Sequence, residues 1–357
     1  MFKGEMKRKL IIDVDTGVDD AQAIMLALSQ PEIDVLAITC VSGNVHLDLV
    51  CTNTLKVLAA CGRLDIPVYR GADRALVGGN FRSTHCHGDD GLGDAETQVD
   101  ISGFQIQKEH AVDTILRLVN QYPGEITLVT LAPLTNIALA LRMDPSLGQK
   151  LAAVTIMGGN SQGRGNITLC GEFNFAVDPD AAYTVLHELN VPPTVVPWDA
   201  NLCETTCYPW DWFDRWIETD TPKGHFMKAF VQTPAQRERE TMPFYRSCDL
   251  NAMATVIDPE VIAQKQEVFV TVELAGNYTR GMMVVDWNGR LGKSPNIVLA
   301  AALDTQRARI HFERICKGTK TIIEDNLIRF RTISETNTII KIKDHLLQKF
   351  TEDSEES

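Results

Sequence analysis

The sequence contains no long hydrophobic run that would fit a membrane protein or a secreted one. A membrane-spanning helix needs about 20 consecutive apolar residues, and no segment of the chain approaches that length. The apolar run near the N-terminus is interrupted at Asp13, which makes it too short for the hydrophobic region of a signal peptide. We therefore expect neither a membrane partner nor secretion.

An excess of basic residues is also missing. The 34 lysine and arginine residues are outnumbered by 47 aspartate and glutamate residues, which gives a net charge of −13. A protein that binds the phosphate backbone of nucleic acid presents a basic face, and no run of lysine and arginine here is long enough to form one. We therefore expect no nucleic-acid partner.

The cysteines show no paired spacing. All nine are scattered along the chain without a CxxC motif. An odd number without such pairs is typical of free thiols in a reducing compartment, rather than of a disulfide framework or a zinc site. This pattern predicts a cytoplasmic protein.

Short strand-like segments alternate with helical periods. Strand signals lie at 9–14, 34–41, 66–71, 125–131, 152–159 and 194–199, and helical periods include 19–29, 47–61, 111–119, 134–143 and 180–189. Apolar strands alternating with helices indicate a parallel sheet that is covered on both faces. The predicted fold class is α/β, an open, mostly parallel sheet flanked by helices, in a single domain over residues 1–318.

Two segments break this alternation. Residues 72–108 are rich in glycine, histidine and aspartate, which predicts a long functional loop. Residues 319–357 form a C-terminal extension of unassigned role, with a weakly amphipathic segment, IIKIKDHLLQKF, and an acidic end.

Four carboxylates crowd the end of the first predicted strand. Asp13, Asp15, Asp19 and Asp20 lie within eight residues, where the strand gives way to a helix. In open α/β sheets, ligands bind just beyond the carboxyl ends of the strands. Helix capping accounts for Asp19 or Asp20 singly, but four like charges destabilise one another unless a cation neutralises them. The motif predicts a metal site.

The ligand types favour a hard cation. Oxygen ligands without cysteine or histidine point to Ca²⁺ or Mg²⁺. An EF-hand is excluded because, with Asp13 as the first loop position, Gly17 is fifth rather than sixth and Ile24 is twelfth. A metal-dependent phosphatase of the Asp-x-Asp type is the alternative, although the residues from Gly17 to Asp20 depart from the pattern of that class.

The segment DVDTGVDDA (13–21) resembles the N-terminal signature of the inosine-uridine-preferring nucleoside hydrolase family. Other segments resemble that family in the family's order: VSGN (41–44), HCHGDDGLG (85–93), TLAPLTNIA (130–138), MGGN (157–160), GNITLCGEFNFAVDPDAA (165–182) and GMMVVDW (281–287). Each motif is short, and the ordered set makes the resemblance specific over about residues 9 to 317.

The resemblance implies a calcium-dependent enzyme that cleaves the N-glycosidic bond of ribonucleosides, giving free base and ribose. Carried over position by position, Asp15, Asp20, Asp249 and the backbone carbonyl of Leu131 correspond to calcium ligands. Asp15 also corresponds to the general base, which takes a proton from the attacking water. The family's fold, with its metal site at the carboxyl edge of the sheet, agrees with the strand and helix pattern.

A ribose-binding role is implied in the same way for Asp19, Asn44, Asn166, Glu172 and Asn174. Such a ring of polar groups suits an oxocarbenium-like transition state, whose positive charge is stabilised by carboxylates. Hydrogen bonds to the sugar hydroxyls would also reject a 2′-deoxynucleoside.

The positions near the leaving base are less well defined. The best-known branch of the family has a histidine before the last metal-binding aspartate, and this chain has Cys248 there. Its thiol is protonated at neutral pH but donates hydrogen bonds poorly, so we interpret Cys248 as a packing residue, with proton donation as the alternative. His87 is a second candidate for contact with the base.

Tryptophans leave the preferred base open. Another branch of the family stacks a purine between tryptophans, and Trp198, Trp210, Trp212 and Trp216 are available here. A tryptophan cluster is more often a packing feature than a base-binding one.

A third function, a catalytically silent nucleoside-binding relative, is suggested by Cys248. Every matched metal and ribose position nevertheless carries a competent residue, which favours an active enzyme over this reading. Phosphate release would identify the phosphatase. The family resemblance also implies a homo-oligomer, either a dimer or a tetramer.

Overall fold

Parallel strands form the centre of the molecule. The computed structural model describes residues 7–78, 81–97, 99–202 and 207–317, and the predicted extension 319–357 lies outside these ranges. The strands are β1 (Arg8–Val14), β2 (Ile33–Cys40), β3 (Val68–Arg70), β4 (Ile126–Thr130), β5 (Ala153–Met157), β6 (Thr194–Val196), β7 (Ile262–Val268), β8 (Val270–Val272), β9 (Met283–Val285) and β10 (Ile297–Leu303). The main sheet has the order β3-β2-β1-β4-β5-β6-β10-β7, and β8 pairs with β9 separately.

Helices connect these strands. They are α1 (Val18–Leu28), α2 (Leu47–Ala60), α3 (Thr84–His87), α4 (Ala111–Gln121), α5 (Thr135–Met143), α6 (Phe173–Val177), α7 (Pro179–Glu188), α8 (Trp210–Ile217), α9 (Pro222–Arg239), α10 (Cys248–Ile257) and α11 (Thr305–Phe312). No helix in the described ranges is long and apolar enough to cross a membrane.

The central strand β1 is buried on both of its faces. It pairs in parallel with β2 on one side and with β4 on the other. Leu10 and Ile12 belong to one hydrophobic core, which includes residues of α1, α2, α9 and α10, whereas Ile11 belongs to a second core with residues of α4, α5 and α7. This burial explains why β1 is a continuous apolar run rather than an alternating one.

The predicted fold class is confirmed. Every junction between neighbours of the main sheet is parallel except the one between β10 and β7, which is antiparallel. The sequence pattern did not predict β7, because its residues from Ala263 to Glu267 are all exposed and polar or small. An edge strand with this composition lacks the apolar signal that identified the central strands.

A buried asparagine ties three segments together at the carboxyl edge of the sheet. Nδ2 of Asn136 donates to Oδ1 of Asp13 at 2.8 Å and to the carbonyl of Cys40 at 3.1 Å. Its Oδ1 accepts from the backbone N–H of Ala72 at 2.9 Å, and the side chain is fully buried. Asn136 thereby holds α5 against the ends of β1 and β2 and against the start of the 72–108 segment.

We predict that Asn136→Ala lowers the free energy of unfolding by about 2–4 kcal/mol, because Asp13, the carbonyl of Cys40 and the N–H of Ala72 each lose a hydrogen bond at once. Urea denaturation of the two proteins measures the difference. Asn120→Ala is the control, since Asn120 is exposed on α4 and its removal should change stability by less than about 0.5 kcal/mol. Equal effects of the two substitutions would contradict this role of Asn136.

Candidate active site

The carboxyl ends of the parallel strands open into one cavity of about 490 Å³. Its wall includes residues that follow β1, β2, β4 and β6, together with the start of α10: Asp19, Asn44, Leu131, Trp198, Cys248 and Asp249. This is the edge at which open α/β sheets bind ligands. The position of the cavity therefore agrees with the site expected from the sequence.

Three carboxylates converge at this cavity. Asp19, Asp20 and Asp249 each place an oxygen within 4.8 Å of the others, an arrangement that can hold a metal ion. Asp20 is fully buried beneath the cavity, and it caps α1 by accepting from the backbone N–H groups of Gly17 at 2.9 Å and Asp15 at 3.2 Å. The side chain that caps α1 is thus also one of the three that can hold a metal ion.

Asp15 lies beside this group. It is fully buried, and its Oδ2 accepts from the backbone N–H of Asn44 at 2.7 Å. Its Oδ1 has no hydrogen-bond partner among the described residues. The tightest carboxylate set therefore contains Asp19, a predicted ribose contact, while the predicted ligand Asp15 adjoins it with one free oxygen.

Two glycines allow neighbouring groups to pack closely around Asp15. A Cβ at Gly43 would lie 1.9 Å from Oδ2 of Asp15, and a Cβ at Gly17 would lie 2.7 Å from Nδ1 of His87. Any larger residue would displace the groups around Asp15. The glycines of the two motifs, DTGVDD and VSGN, are thus explained by packing around the acid cluster.

Asp13 does not join the cluster, which corrects the expectation of four converging carboxylates. Its Oδ1 accepts from the hydroxyl of Thr39 at 2.5 Å and from Asn136, so it holds β1 to its neighbours. The fourth acid of the site comes instead from Asp249 on α10. Strand and helix positions distant in sequence meet only in the folded chain.

Burial and mutual repulsion shape the titration of these acids. Desolvation raises the pKa of Asp20 to about 7 and the pKa values of Asp15 and Asp249 well above their usual range, and the neighbouring carboxylates raise them further. A cation would remove this penalty by stabilising the ionised forms. The oxygen-only donors and the unpartnered Oδ1 of Asp15 fit a hard ion such as Ca²⁺.

The predicted ribose contacts line the same cavity. They are Asp19, Asn44, Asn166, Glu172 and Asn174. Glu172 caps α6 through Oε1, which accepts from the N–H of Asn174 at 2.9 Å, and its Oε2 accepts from the N–H of Gly159 at 2.7 Å. Desolvation raises the pKa of Glu172 to about 7.

Asn174 connects the ribose candidates to the predicted carbonyl ligand. Its Nδ2 donates to the carbonyl of Leu131 at 3.1 Å and to the carbonyl of Met157 at 3.1 Å. The carbonyl of Leu131 has a second lone pair, so this hydrogen bond leaves it able to coordinate a cation. Asn44 makes a similar link, since its Nδ2 donates to Oδ2 of Asp20 at 3.3 Å.

His87 and Cys248 both reach the cavity wall. Nδ1 of His87 accepts from the backbone N–H of Val18 at 3.1 Å, and burial lowers the pKa of the imidazole. The ring is thus neutral, with its proton assigned to Nε2. Burial raises the pKa of the Cys248 thiol well above its usual range, so the thiol is protonated.

The four tryptophans separate into two groups. Trp212 and Trp216 stack on each other with ring centroids 5.0 Å apart in a buried aromatic cluster, and Trp210 packs at its edge against Phe213. Of these four rings only Trp198 lines the cavity. Most of the tryptophans are therefore packing residues.

Several cavity residues were not identified from the sequence. Gln22 lies one helical turn after Asp19 on α1, and this spacing was the one signal that could have found it. Oε1 of Gln22 accepts from the hydroxyls of Tyr245 at 2.7 Å and Ser247 at 3.0 Å. Glu238 and Arg246 also line the cavity, and no motif links them to the other site residues because the chain brings them there by tertiary packing.

Comparison with known proteins places the chain in a family. A family model described as inosine-uridine preferring nucleoside hydrolase matches residues 10–309. The chain is 35% identical over 305 residues to the inosine-uridine preferring nucleoside hydrolase of Crithidia fasciculata, covering 85% of this chain and 95% of that one. It is 34% identical over 306 residues to the pyrimidine-specific ribonucleoside hydrolase RihB of Escherichia coli, covering 84% and 94%.

Solved structures agree with this result. An inosine-guanosine nucleoside hydrolase has a TM-score of 0.80 at 34% identity, covering 87% of this chain and 98% of that one. The plant nucleoside hydrolase PpNRh1 has a TM-score of 0.79 at 30% identity, covering 87% and 99%. The family predicted from the ordered motifs is confirmed, and with it the prediction of an enzyme: the chain belongs to the inosine-uridine preferring nucleoside hydrolase family.

Proposed function

We propose that this chain hydrolyses the N-glycosidic bond of ribonucleosides to free base and ribose. The buried carboxylate cluster beneath a cavity lined by the ribose candidates carries this proposal. The cavity is lined by residues between Val18 and Asp249, and the strands from Arg8 to Leu303 form one eight-stranded sheet with a small two-stranded one. We therefore also propose that residues 1–318 act as one catalytic domain. Family membership and intact site positions favour this function over the phosphatase and the silent relative.

The proposed calcium ligands are Asp15, Asp20, Asp249 and the carbonyl of Leu131, with Asp19 near enough to join them. Their crowding and burial support a bound cation, since an oxygen-only set of this kind is typical of calcium. When bound, the ion would act as a Lewis acid that lowers the pKa of water.

Asp15 is the proposed general base. The N–H of Asn44 fixes its Oδ2, which leaves Oδ1 to accept a proton from the attacking water. The water oxygen forms a bond to the anomeric carbon as the carbon–nitrogen bond breaks, and the bonding pair leaves with the base. The base then takes a proton from solvent, and Asp15 releases to solvent the proton that it took from the attacking water. Asp19 and Glu172 stabilise the positive charge that develops on the ribose ring.

The residues near the leaving base have separate proposed roles. Nε2 of His87 carries the ring proton and is the proposed donor toward the base, because Val18 occupies Nδ1. Cys248 is assigned a packing role, since its protonated thiol is a weak donor and most of its surface is buried. Hydrogen bonds from Asn166 and Asn174 would orient the ribose hydroxyls.

The compartment and the oligomeric state follow from the thiols and from the family. We propose a cytoplasmic homo-oligomer that acts on small ribonucleosides. Free thiols at Cys40, Cys51, Cys86, Cys248 and Cys316 support a reducing compartment. Family resemblance supports the homo-oligomer.

The function itself is tested by incubating the protein with a panel of common ribonucleosides. We expect release of free base and ribose from at least one of them, at a rate independent of added phosphate, because Asp15 activates water rather than phosphate. Chromatography of the products measures both. Formation of ribose 1-phosphate that depends on phosphate would instead identify a phosphorylase.

Asp15→Ala should lower kcat by about 10³-fold, because it removes the proposed base together with a metal ligand. Asn174→Ala should be milder, with kcat/KM reduced roughly 10- to 100-fold, since it removes polar contacts of about 1–3 kcal/mol. Steady-state kinetics on the best nucleoside measures both. Asn120→Ala is the surface control, and an Asp15→Ala enzyme as active as this control would remove the case for the site.

Removal of metal should abolish activity and lower thermal stability. We expect activity to be lost after chelation and restored by Ca²⁺, and the melting temperature to rise with Ca²⁺ because the ion binds only the folded cluster. Differential scanning fluorimetry measures the shift, with Mg²⁺ as the comparison ion. In Asp249→Asn the shift should shrink markedly. Full activity after chelation would show that no metal is needed.

A further inference from the structure

The segment 161–171, which lies between β5 and α6, places Asn166 in the cavity wall. The other two asparagines proposed to bind ribose are fixed by their own side chains, since Nδ2 of Asn44 donates to Asp20 and Nδ2 of Asn174 donates to two backbone acceptors. The side chain of Asn166 makes no hydrogen bond to the part of the chain that the structure describes. Its direction therefore depends on the conformation of the segment that carries it.

Asn160, the last residue of the MGGN motif, holds both arms of this segment. Its Nδ2 donates to the carbonyl of Arg164 at 3.1 Å and to the carbonyl of Cys170 at 2.7 Å, and the side chain is fully buried. These two carbonyls lie on either side of Asn166 in the chain, so a single amide group fixes both arms. Asn160 does not itself line the cavity.

Further hydrogen bonds within the segment narrow it into a turn. The N–H of Asn166 donates to the carbonyl of Gly171 at 3.2 Å, and the hydroxyl of Thr168 accepts from the N–H of Gly171 at 2.9 Å. These bonds set the shape of the turn, whereas Asn160 ties the turn to the buried end of β5. The position of Asn166 relative to the rest of the cavity thus depends on Asn160.

Asn160 is less completely hydrogen-bonded than a comparable structural asparagine. Its Oδ1 is buried and has no partner among the described residues. Nδ2 of Asn296 likewise donates to two carbonyls, those of Leu186 at 3.0 Å and Val270 at 2.9 Å, but its Oδ1 accepts from the N–H of Val270 at 2.7 Å. An unpaired buried acceptor is destabilising, so stability alone does not account for an asparagine at position 160.

We propose that Asn160 is a positioning residue, which directs Asn166 toward the ribose by fixing the segment 161–171. The inference rests on the proposed function, since it requires a ribose in this cavity. A polar group that is already held in place loses little freedom when substrate binds, and a small displacement weakens its hydrogen bond in the transition state. Because Asn160 acts through Asn166, it should have no further effect on catalysis once Asn166 is removed.

Steady-state kinetics of Asn160→Ala, Asn166→Ala and the double variant test this dependence. Each single substitution should lower kcat/KM for the best nucleoside roughly 10- to 100-fold, and the double variant should stay within about threefold of Asn166→Ala. The loss should be the same for p-nitrophenyl riboside, which shares only the ribose with a nucleoside. Asn296→Ala is the matched control: it should lower the melting temperature more than Asn160→Ala, because Asn296 is paired at both ends of its amide, and keep the wild-type kcat/KM.

Two further measurements do not depend on the stability of a core variant. Thr168→Val removes a hydrogen bond within the segment itself, and it should lower kcat/KM about 3- to 10-fold in the presence of Asn166 but not in the Asn166→Ala background. Limited digestion with trypsin reports the order of the segment, because Arg164 is exposed. Cleavage after Arg164 should be faster in Asn160→Ala than in the wild type or in Asn296→Ala.

Wild-type kcat/KM in Asn160→Ala, or losses in Asn160→Ala and Asn166→Ala that multiply in the double variant, would overturn the proposal. If Asn160→Ala does not fold, a Thr168→Val enzyme as active as the wild type overturns it instead. The wild type separates the two levels of inference. If it cleaves a nucleoside or p-nitrophenyl riboside while Asn160→Ala is unimpaired, the role of Asn160 alone fails; if it cleaves neither, the proposed function fails and this role fails with it.

Discussion

Burial of several carboxylates at the end of one strand is the constraint on which the rest of the site depends. Asp15 and Asp20 are fully buried, and Asp249 approaches them from α10. Like charges removed from water repel strongly, so this arrangement persists only if protons or a cation neutralise it. The surrounding backbone is adapted to that cluster: its N–H groups donate to both strand-end acids, and Gly43 lets the chain pass against Asp15.

Several polar side chains that line the cavity already make structural hydrogen bonds. Glu172 caps a helix with both carboxylate oxygens, and Asn174 holds the carbonyls of Leu131 and Met157. Groups fixed in this way lose little freedom when a substrate binds, which is the general advantage of preorganised sites. The Arg246 guanidinium, stacked on Trp198 in the cavity wall, is fixed in the same way.

The central part of the fold was predictable because each of its signals is local. A strand buried on both faces needs a continuous apolar run, and β1 and β4 show one. Their predicted bounds therefore differ from the observed ones by one residue at the start of β1 and by one residue at each end of β4. The polar edge strand β7 and the amphipathic helix α8 contain no continuous apolar run, and neither was predicted. Asp13 shows the opposite error, since proximity in sequence suggested a ligand where the fold uses a structural hydrogen bond.

By itself, the sequence determined the α/β class, the acid motif at the end of β1 and the family, since apolar runs, strand-end carboxylates and ordered motifs are all properties of neighbouring residues. Only the tertiary structure decided which side chains meet. It brought Asp19, predicted only as a ribose contact, into the carboxylate set with Asp249, moved Asp13 into a hydrogen-bond network, and brought Arg246 onto Trp198. The physical reason is that these contacts join elements far apart in the chain, and their distances are set by helix and sheet packing rather than by sequence spacing.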